Sequence, residues 1–212
     1  MLQAKQRKPR VTRRIDYYLA PQSPWAYLGH ARFVALAERS GCDVRLLPAD
    51  FGKIFAVSGG LPLGQRAAQR QAYRLVELRR FADHLQLPLH LQPQHFPVAG
   101  DDAARLIIAV ERADGVQAAL RLTGAVLSAV WAQQRDIADP SVLAQLLSEH
   151  QLDAARWAQS RESAVQQQYA ANTQAAIDAG VFGAPSYCVD GEIFWGQDRL
   201  DHLQRKLDRV VH

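Results

Sequence analysis

The chain has 212 residues, 48% of them hydrophobic, and a formal net charge of +4. That length and hydrophobic content predict a substantial core in one domain, or in a compact domain that carries an insertion. Six Lys and Arg and no acid lie in the first fourteen residues, so the rest of the chain is close to neutral. A basic face for nucleic acid is therefore not expected.

Residues 1–13 predict a disordered basic tail. The tail has no apolar segment of the kind found in a secretory signal, and its single hydroxyl residue, Thr12, does not fit a transit peptide. No later stretch approaches the length of a membrane span. We therefore expect a cytoplasmic protein that binds neither a membrane nor nucleic acid, with nucleic-acid binding through the tail as the less favoured alternative.

The first elements predict a β-α-β unit. Residues 15–19 form a β-branched and aromatic run typical of a buried strand. Ser23 then stands at a helix N-cap and Pro24 at the first helical position, and Gly41 ends the helix. Residues 43–47 predict a second strand, and the default for two strands joined in this way is a parallel pair.

The middle of the chain predicts helices. Residues 53–64 are rich in Gly and Pro and predict a loop. Strand signals are rare from there to residue 178, and apolar residues recur at helical spacing. The predicted helices cover residues 75–85, 103–113, 116–134, 141–149 and 153–179.

Strand signals return near the end of the chain. Residues 186–189 and 192–195 predict a hairpin, because Asp190-Gly191 is a strong two-residue turn signal. A closing helix is predicted from residue 198 to about 210. Strands at both ends indicate one α/β domain, made of residues 14–63 and 179–212, that is interrupted by an all-helical insertion at residues 64–178.

The segment Ser23-Pro24-Trp25-Ala26 occupies a position of chemical interest. In thioredoxin-like proteins a Cys-x-x-Cys pair lies at such a helix N-terminus, where the helix dipole stabilises a thiolate. Here no cysteine is present, so Ser23 either only caps the helix or donates a hydrogen bond to a thiolate that another molecule brings. No histidine lies close in sequence to activate Ser23 as a nucleophile.

The second half of such a site is predicted at the hairpin. Pro185 is either a plain edge proline or part of a cis Ala184-Pro185 bond. In the cis form, the backbone N–H and C=O of Ala184 would face the first helix and pair with an extended peptide ligand. Asp198 is either a first-turn acid of the closing helix or a partner for the ammonium group of a ligand.

Other kinds of site are not indicated. Cys42 and Cys188 match no metal or redox spacing and are interpreted as small buried hydrophobes. The seven histidines show no ligand spacing, so no metal is expected. No G-x-S-x-G elbow occurs, which argues against a serine hydrolase.

Seven motifs in order give the chain a family resemblance. They are Ser23-Pro-Trp-Ala-Tyr-Leu-Gly29, Ser58-Gly-Gly-x-Pro62, Arg70-x-x-Tyr73-x-x-x-Glu77-x-x-Arg80, His95-Phe-Pro97, Trp131-x-x-x-Arg135-Asp-Ile-Ala-Asp-Pro140, Gly180-Val-Phe-Gly-Ala-Pro185 and Phe194-Trp-Gly-Gln-Asp-Arg199. Together they resemble the 2-hydroxychromene-2-carboxylate isomerase family, which is related to kappa-class glutathione transferases and to DsbA. The resemblance covers roughly residues 14–211.

The resemblance implies a thioredoxin-like domain with a helical insertion, a homodimer, and glutathione as cofactor. Ser23 would hydrogen-bond the glutathione sulfur, and Ala184 with cis Pro185 would pair with the cysteinyl backbone. Gln197 and Asp198 would hold the γ-glutamyl end. Arg70 would bind the glycyl carboxylate in place of a family lysine.

The implied reaction is the isomerisation of an aromatic carboxylate catabolite by reversible thiolate addition. Trp25 and Tyr27 are either candidates for an aromatic wall of the pocket or core residues that need no such role. This chain has Gly60 where the family usually carries an asparagine, and it lacks a second family asparagine near Ala99 or Gly100. A kappa-type transferase or peroxide reductase, and a non-catalytic glutathione-binding protein, therefore remain alternatives.

Overall fold

The computed structural model describes residues 13–209. Its elements in chain order are β1 (Arg14–Leu19), α1 (Pro24–Ser40), β2 (Asp43–Pro48), α2 (Phe51–Ser58), α3 (Ala68–Leu85), α4 (Asp101–Asp114), α5 (Val116–Trp131), α6 (Pro140–Glu149), α7 (Ala155–Gln159), α8 (Ser163–Asp178), β3 (Ser186–Val189), β4 (Glu192–Trp195) and α9 (Leu200–Asp208), with 3₁₀ turns at Leu63–Gln65 and Gln197–Arg199.

The four strands form one mixed sheet in the order β2-β1-β3-β4. β1 and β2 are parallel, whereas β3 pairs antiparallel with both β1 and β4. Tyr17 of β1 lies opposite Tyr187 of β3. All four strands lie outside residues 64–178, as the sequence predicted, and the described elements of that interval are helical.

The core joins the sheet to the inserted helices. The largest cluster of buried hydrophobic residues takes members from β1, α1, α4, α5 and the hairpin. α5 supplies many of them, because it is buried around most of its circumference. The division of the chain at residues 64 and 178 into two units stays a prediction, since the two parts share this core.

Both ends of α1 have the caps that its sequence predicts. Ser23 has extended backbone angles, and its Oγ accepts a hydrogen bond from the backbone N–H of Ala26. Pro24 takes the first helical position, where its missing N–H is not needed. Gly41 closes the helix in the left-handed conformation at φ 60°. The strand–helix–strand prediction is therefore confirmed.

The predicted loop at residues 53–64 is wrong in its first half. Residues 51–58 form α2, because Asp50 caps the helix by accepting from the N–H groups of Gly52 and Lys53. Phe51 and Ile54 are buried on its inner face. The glycines and prolines that follow dominated the local composition, whereas the Asp50 cap before them was overlooked.

The helix predicted over residues 153–179 is two helices, α7 and α8. Ser160, which is buried, lies at the break, where its hydroxyl donates to the carbonyl of Trp157 over 2.7 Å. A serine side chain that bonds local backbone in this way competes with a continuous helix. The apolar periodicity alone did not reveal this interruption.

The predicted tail of residues 1–13 lies outside the described residues except for Arg13. The guanidinium of Arg13 donates to the carbonyls of Lys206, Leu207 and Arg209 at distances of 2.8–3.1 Å. These carbonyls lie at the end of α9, where positive charge is favourable. The residue that precedes β1 is therefore attached to the last helix.

A buried histidine links β1, α1 and α5. The Nε2 of His30 lies 2.9 Å from the carbonyl of Leu120, and its Nδ1 lies 3.2 Å from the hydroxyl of Tyr17. A carbonyl can only accept, so the Nε2 carries the proton and the Nδ1 accepts from Tyr17. Burial lowers the pKa of His30 from 6.5 to about 4, against the smaller opposing effect of the Leu120 carbonyl.

This histidine predicts a pH dependence of stability. Between pH 6.5 and 4 the unfolded chain binds a proton at His30 that the folded protein does not, so we expect the free energy of unfolding to fall as the pH falls through that range. Urea unfolding at pH 7, 6, 5 and 4 measures this slope. His30→Gln should flatten it, whereas His84→Gln on an exposed face should not; an equal slope in His30→Gln would contradict the assignment.

Candidate active site

The hydroxyl of Ser23 faces the cis-proline segment. Its Oγ lies 3.4 Å from the carbonyl oxygen of Ala184, to which it donates, and accepts from the N–H of Ala26 at 3.2 Å. The Ala184–Pro185 bond is cis, as predicted. The carbonyl of Pro185 accepts from the N–H of Gly196. The N-terminus of α1 and the start of β3 therefore meet at Ser23.

Ser23 lines a cavity of about 580 Å³, called the Ser23 cavity below. Its walls contain six aromatic side chains and three arginines, and no Asp or Glu is found among the described residues that line it. The aromatic residues are Trp25, Phe51, Phe55, Phe96, Phe182 and Trp195, and the arginines are Arg66, Arg70 and Arg74. The cavity is thus apolar and positively charged.

A second cavity of about 520 Å³ lies beside the first and is called the Asp198 cavity. It contains Gln197 and two carboxylates, Asp198 and Glu77. Six residues line both cavities: Trp25, Arg66, Arg70, Arg74, Ala184 and Trp195. The structure therefore brings the predicted residues Ser23, Arg70, Ala184, Gln197 and Asp198 to two adjoining spaces that meet at Ala184.

Three arginines on α3 and the turn before it face these cavities. Arg70 and Arg74 lie four residues apart on α3, which places both on one face of the helix, and Arg66 lies in the extended turn before it. Only Arg70 was predicted from the sequence. The spacing of Arg70 and Arg74 is visible in the sequence, but helical positions alone do not show which face borders a cavity.

Gln197 and Asp198 both line the Asp198 cavity but differ in burial and in hydrogen-bond partners. Gln197 is 2% exposed, and its Oε1 accepts from the guanidinium of Arg32 at 2.9 Å. Its Nε2 is buried without a hydrogen-bond partner among the described residues. Asp198 is more exposed, and its carboxylate pairs with the neighbouring Arg199 at 2.7 Å.

The spaces beside Gly60 and Gly100 are both occupied by side chains from other segments of the chain. A Cβ on Gly60 would collide with the ring of Phe55. A Cβ on Gly100 would collide with the side-chain amide of Gln22. Gln22 lines the Ser23 cavity, and its Oε1 is buried without a partner among the described residues. The space beside Gly100 therefore holds an amide group that comes from the residue before Ser23.

Trp25 and Tyr27, the two candidates for the aromatic wall, have different surroundings in the structure. Trp25 lies between the cavities and packs edge-on against Phe81, with ring centroids 6.1 Å apart. Tyr27 lines neither cavity, and its hydroxyl donates to the carbonyl of Pro88 over 2.6 Å. The prediction of Tyr27 as a wall residue is therefore wrong. Tyr27 follows Trp25 by two residues in α1, so its side chain lies on a different face of the helix, away from the cavities.

The cysteines do not belong to either cavity. Burial raises the pKa of Cys188 to about 11, so this thiol stays protonated at neutral pH. The thiol of Cys42 lies 3.8 Å from the carbonyl of Ser40. Both residues are partly buried, and the interpretation of Cys188 as a packed, unreactive residue agrees with its raised pKa.

The described residues contain neither a metal-binding cluster nor a membrane-spanning helix. No group of three or more His, Cys, Asp or Glu side chains is arranged to hold a metal ion within residues 13–209. In the same part of the chain, no helix has the length and apolar character needed to cross a bilayer. The cytoplasmic location, the homodimer and the lack of nucleic-acid binding stay predictions from the sequence.

Comparison with known proteins agrees with this fold. Residues 14–208 match the family model of the DsbA-like thioredoxin domain. This establishes the class of the protein as thioredoxin-like, with the helical insertion between β2 and β3. A curated relative, the 2-hydroxychromene-2-carboxylate isomerase of Sphingobium xenophagum, is 30% identical over 199 residues, which cover 93% of this chain and 99% of the relative.

Two solved structures extend the comparison. That of a 2-hydroxychromene-2-carboxylate isomerase superposes with a TM-score of 0.74 and 26% identity, over 92% of this chain and 94% of the other. The chain thus belongs to the 2-hydroxychromene-2-carboxylate isomerase family of enzymes. The cytosolic disulfide reductase DsbM of Pseudomonas aeruginosa with GSH shares the fold, with a TM-score of 0.68 and 18% identity over 92% of this chain and 97% of the other.

Proposed function

We propose that this enzyme is a glutathione-dependent cis-trans isomerase of 2-hydroxychromene-2-carboxylate-type aromatic catabolites. The observation that carries the proposal is the position of Ser23. Its hydroxyl lies at the N-terminus of α1, faces the Ala184 carbonyl, and lines an aromatic, positively charged cavity. The names of the curated relatives support an isomerase, and the GSH complex of DsbM supports glutathione as the thiol in this fold.

The residues present fit glutathione. The hydrogen bond from Ser23 to the Ala184 carbonyl is long, at 3.4 Å, so a bound ligand can replace it at little cost. A peptide N–H would satisfy the carbonyl of Ala184, and a thiolate would accept the hydrogen of Ser23. A cysteinyl residue has both a peptide N–H and a thiolate, so one bound residue would replace the lost partner of Ala184 and the lost partner of Ser23.

The Asp198 cavity suits the two ends of the same tripeptide. Asp198 offers a carboxylate to the ammonium of the γ-glutamyl end, and the buried Nε2 of Gln197 offers a donor that lacks a partner among the described residues. Arg70 offers a forked guanidinium to the glycyl carboxylate. A zwitterionic ligand matches a cavity that contains both signs of charge.

When bound, glutathione would supply a thiolate that adds reversibly to the conjugated alkene, so that the double bond becomes a rotatable single bond before elimination. The N-terminus of α1 and the hydroxyl of Ser23 would lower the pKa of that thiol. The aromatic side chains of the Ser23 cavity would orient the substrate ring. The arginines of α3 would stabilise the negative charge that develops on the substrate oxygen atoms.

Turnover of 2-hydroxychromene-2-carboxylate with and without glutathione tests the proposal. We expect interconversion with the trans-benzylidenepyruvate that requires glutathione and leaves its concentration unchanged. S-methylglutathione keeps the peptide but lacks the thiol, so it should inhibit in competition with glutathione. Isomerisation at the full rate without any thiol would contradict the proposal.

The same assay separates the alternatives. Accumulation of a glutathione conjugate would identify a kappa-type transferase, and loss of glutathione with peroxide would identify a peroxide reductase. Binding of S-methylglutathione without turnover of any of these substrates would identify a non-catalytic glutathione-binding protein. Each of these results would replace the isomerase proposal.

A further inference from the structure

The Ser23 cavity carries a positive charge that the protein does not balance. Arg66, Arg70 and Arg74 line it, and none of them makes an ion pair with an acid within residues 13–209. The nearby Glu77 pairs instead with Arg80, at 2.6 Å. Uncompensated charge in a partly enclosed, aromatic space is costly unless a ligand provides the counter-charge.

Arg74 is the most enclosed of the three. Its guanidinium lies 5.3 Å from the ring centroid of Phe96 and 5.6 Å from that of Trp131, which is fully buried. Burial lowers the pKa of Arg74 to about 10, and the like charge of Arg66 adds to the effect. No hydrogen bond of the Arg74 side chain is found in the described part of the chain, so its N–H donors remain available on the cavity side.

Two other partly buried arginines of this chain are paired with acids. Arg156 binds the carboxylate of Asp114 through two nitrogen atoms at 2.7 and 2.8 Å. Arg45 binds Asp16 at 2.6 Å. Arg74 differs from both, because it lies in the wall of a cavity and pairs with no acid among the described residues.

We propose that Arg74, with Arg66 beside it, binds the carboxylate of an aromatic acid whose ring lies against the aromatic walls of the Ser23 cavity. Phe96 and Trp131 hold the guanidinium from the core side, and the open side presents its donors to the ligand. This inference rests on the proposed function and deepens it, because it assigns the group that selects an anionic substrate. Arg70 is left for the other carboxylate, that of the glycyl end.

A binding experiment with an unreactive probe tests this assignment. The probe is 3-(2-hydroxyphenyl)propanoate, an aromatic carboxylate with no alkene for a thiolate to attack, and its neutral comparison is the primary amide of the same acid. Calorimetry is carried out with S-methylglutathione at saturation. We expect the protein to bind the carboxylate roughly tenfold to a hundredfold more tightly than the amide, as for one charged hydrogen-bonded contact.

Variants of single arginines test which residue causes the preference for the carboxylate over the amide. Arg74→Leu should remove the preference for the carboxylate over the amide, and Arg74→Lys should restore part of it, because lysine keeps the charge but not the fork. Arg79→Leu is the matched control, since Arg79 is an exposed arginine on the same helix that lines neither cavity. It should bind both probes as the unmodified protein does.

Two results would overturn the inference. One is equal binding of carboxylate and amide by the unmodified protein, a result that does not depend on any variant folding. The other is an unchanged preference in Arg74→Leu. The experiment also separates this inference from the proposed function. If the unmodified protein has no isomerase activity but Arg74→Leu loses the carboxylate preference, only the proposed reaction is refuted. If Arg74→Leu keeps isomerase activity with an unchanged KM, only the role of Arg74 is refuted.

Discussion

Replacing Ser23 with alanine is expected to slow glutathione-dependent turnover by roughly tenfold to a hundredfold, which corresponds to one hydrogen bond to a charged group, about 1.5–3 kcal/mol. The hydroxyl would stabilise a thiolate, so its loss should reduce kcat and leave the affinity for S-methylglutathione within a few-fold of the original. Steady-state kinetics with varied glutathione, together with calorimetry, separates the two quantities.

Ser23 also caps α1, so the alanine variant should lose about 1 kcal/mol of stability for a reason unrelated to chemistry. Ser23→Asp separates the two roles, because a carboxylate accepts the hydrogen bond of a cap but has no hydrogen to donate. We expect Ser23→Asp to be as stable as the original protein and at least as slow as Ser23→Ala. A covalent adduct trapped on Ser23 from substrate without glutathione would show that Ser23 itself is the nucleophile.

Introducing a side chain at Gly29 is expected to lower both stability and glutathione binding. Gly29 lies in the middle of α1, and a Cβ there would lie 2.8 Å from the Cβ of Gln197, 3.0 Å from the hydroxyl of Tyr187 and 3.3 Å from the Cα of Gln197. Because one of these contacts is backbone, Gly29→Val must displace the Gln197–Arg199 turn. We expect a loss of about 3 kcal/mol in the free energy of unfolding.

The same displacement moves Asp198, so the affinity for S-methylglutathione should fall along with the melting temperature. Ala31→Val is the matched control, because it introduces the same side chain at an exposed position of the same helix. That variant should cost only the difference in helix propensity, about 0.5 kcal/mol. If Gly29→Val were as stable as Ala31→Val, the close packing of α1 against the turn would be excluded.

Local signals explain why so much of the framework could be predicted. The cap at Ser23, the left-handed Gly41 and the Asp190-Gly191 turn each fix the backbone within a few residues, and the structure confirms all three. The cis Ala184–Pro185 bond is also present, as the family resemblance implied, whereas the residues alone left a plain edge proline open. The parallel pairing of β1 and β2 followed from a general rule of chain connection.

The charge of the site could not be predicted in the same way. The spacing of Arg66 and Arg74 from Arg70 does not mark them as site residues, because only the packing of α3 against α1 brings them to the Ser23 cavity together with Phe96. A second cis bond, at Phe96–Pro97, was not predicted either. The position of the arginines depends on contacts between segments far apart in the chain, which periodicity and capping signals do not report.

The contact between Gln22 and Gly100 limits how this active site can be redesigned. The amide of Gln22 fills the volume in which any larger residue at position 100 would place its first carbon atom. Because the end of a glutamine side chain can move, a larger residue at position 100 fits only when the Gln22 amide leaves this space. A substitution at position 100 therefore also changes the wall of the Ser23 cavity at position 22, and a design has to consider both positions together.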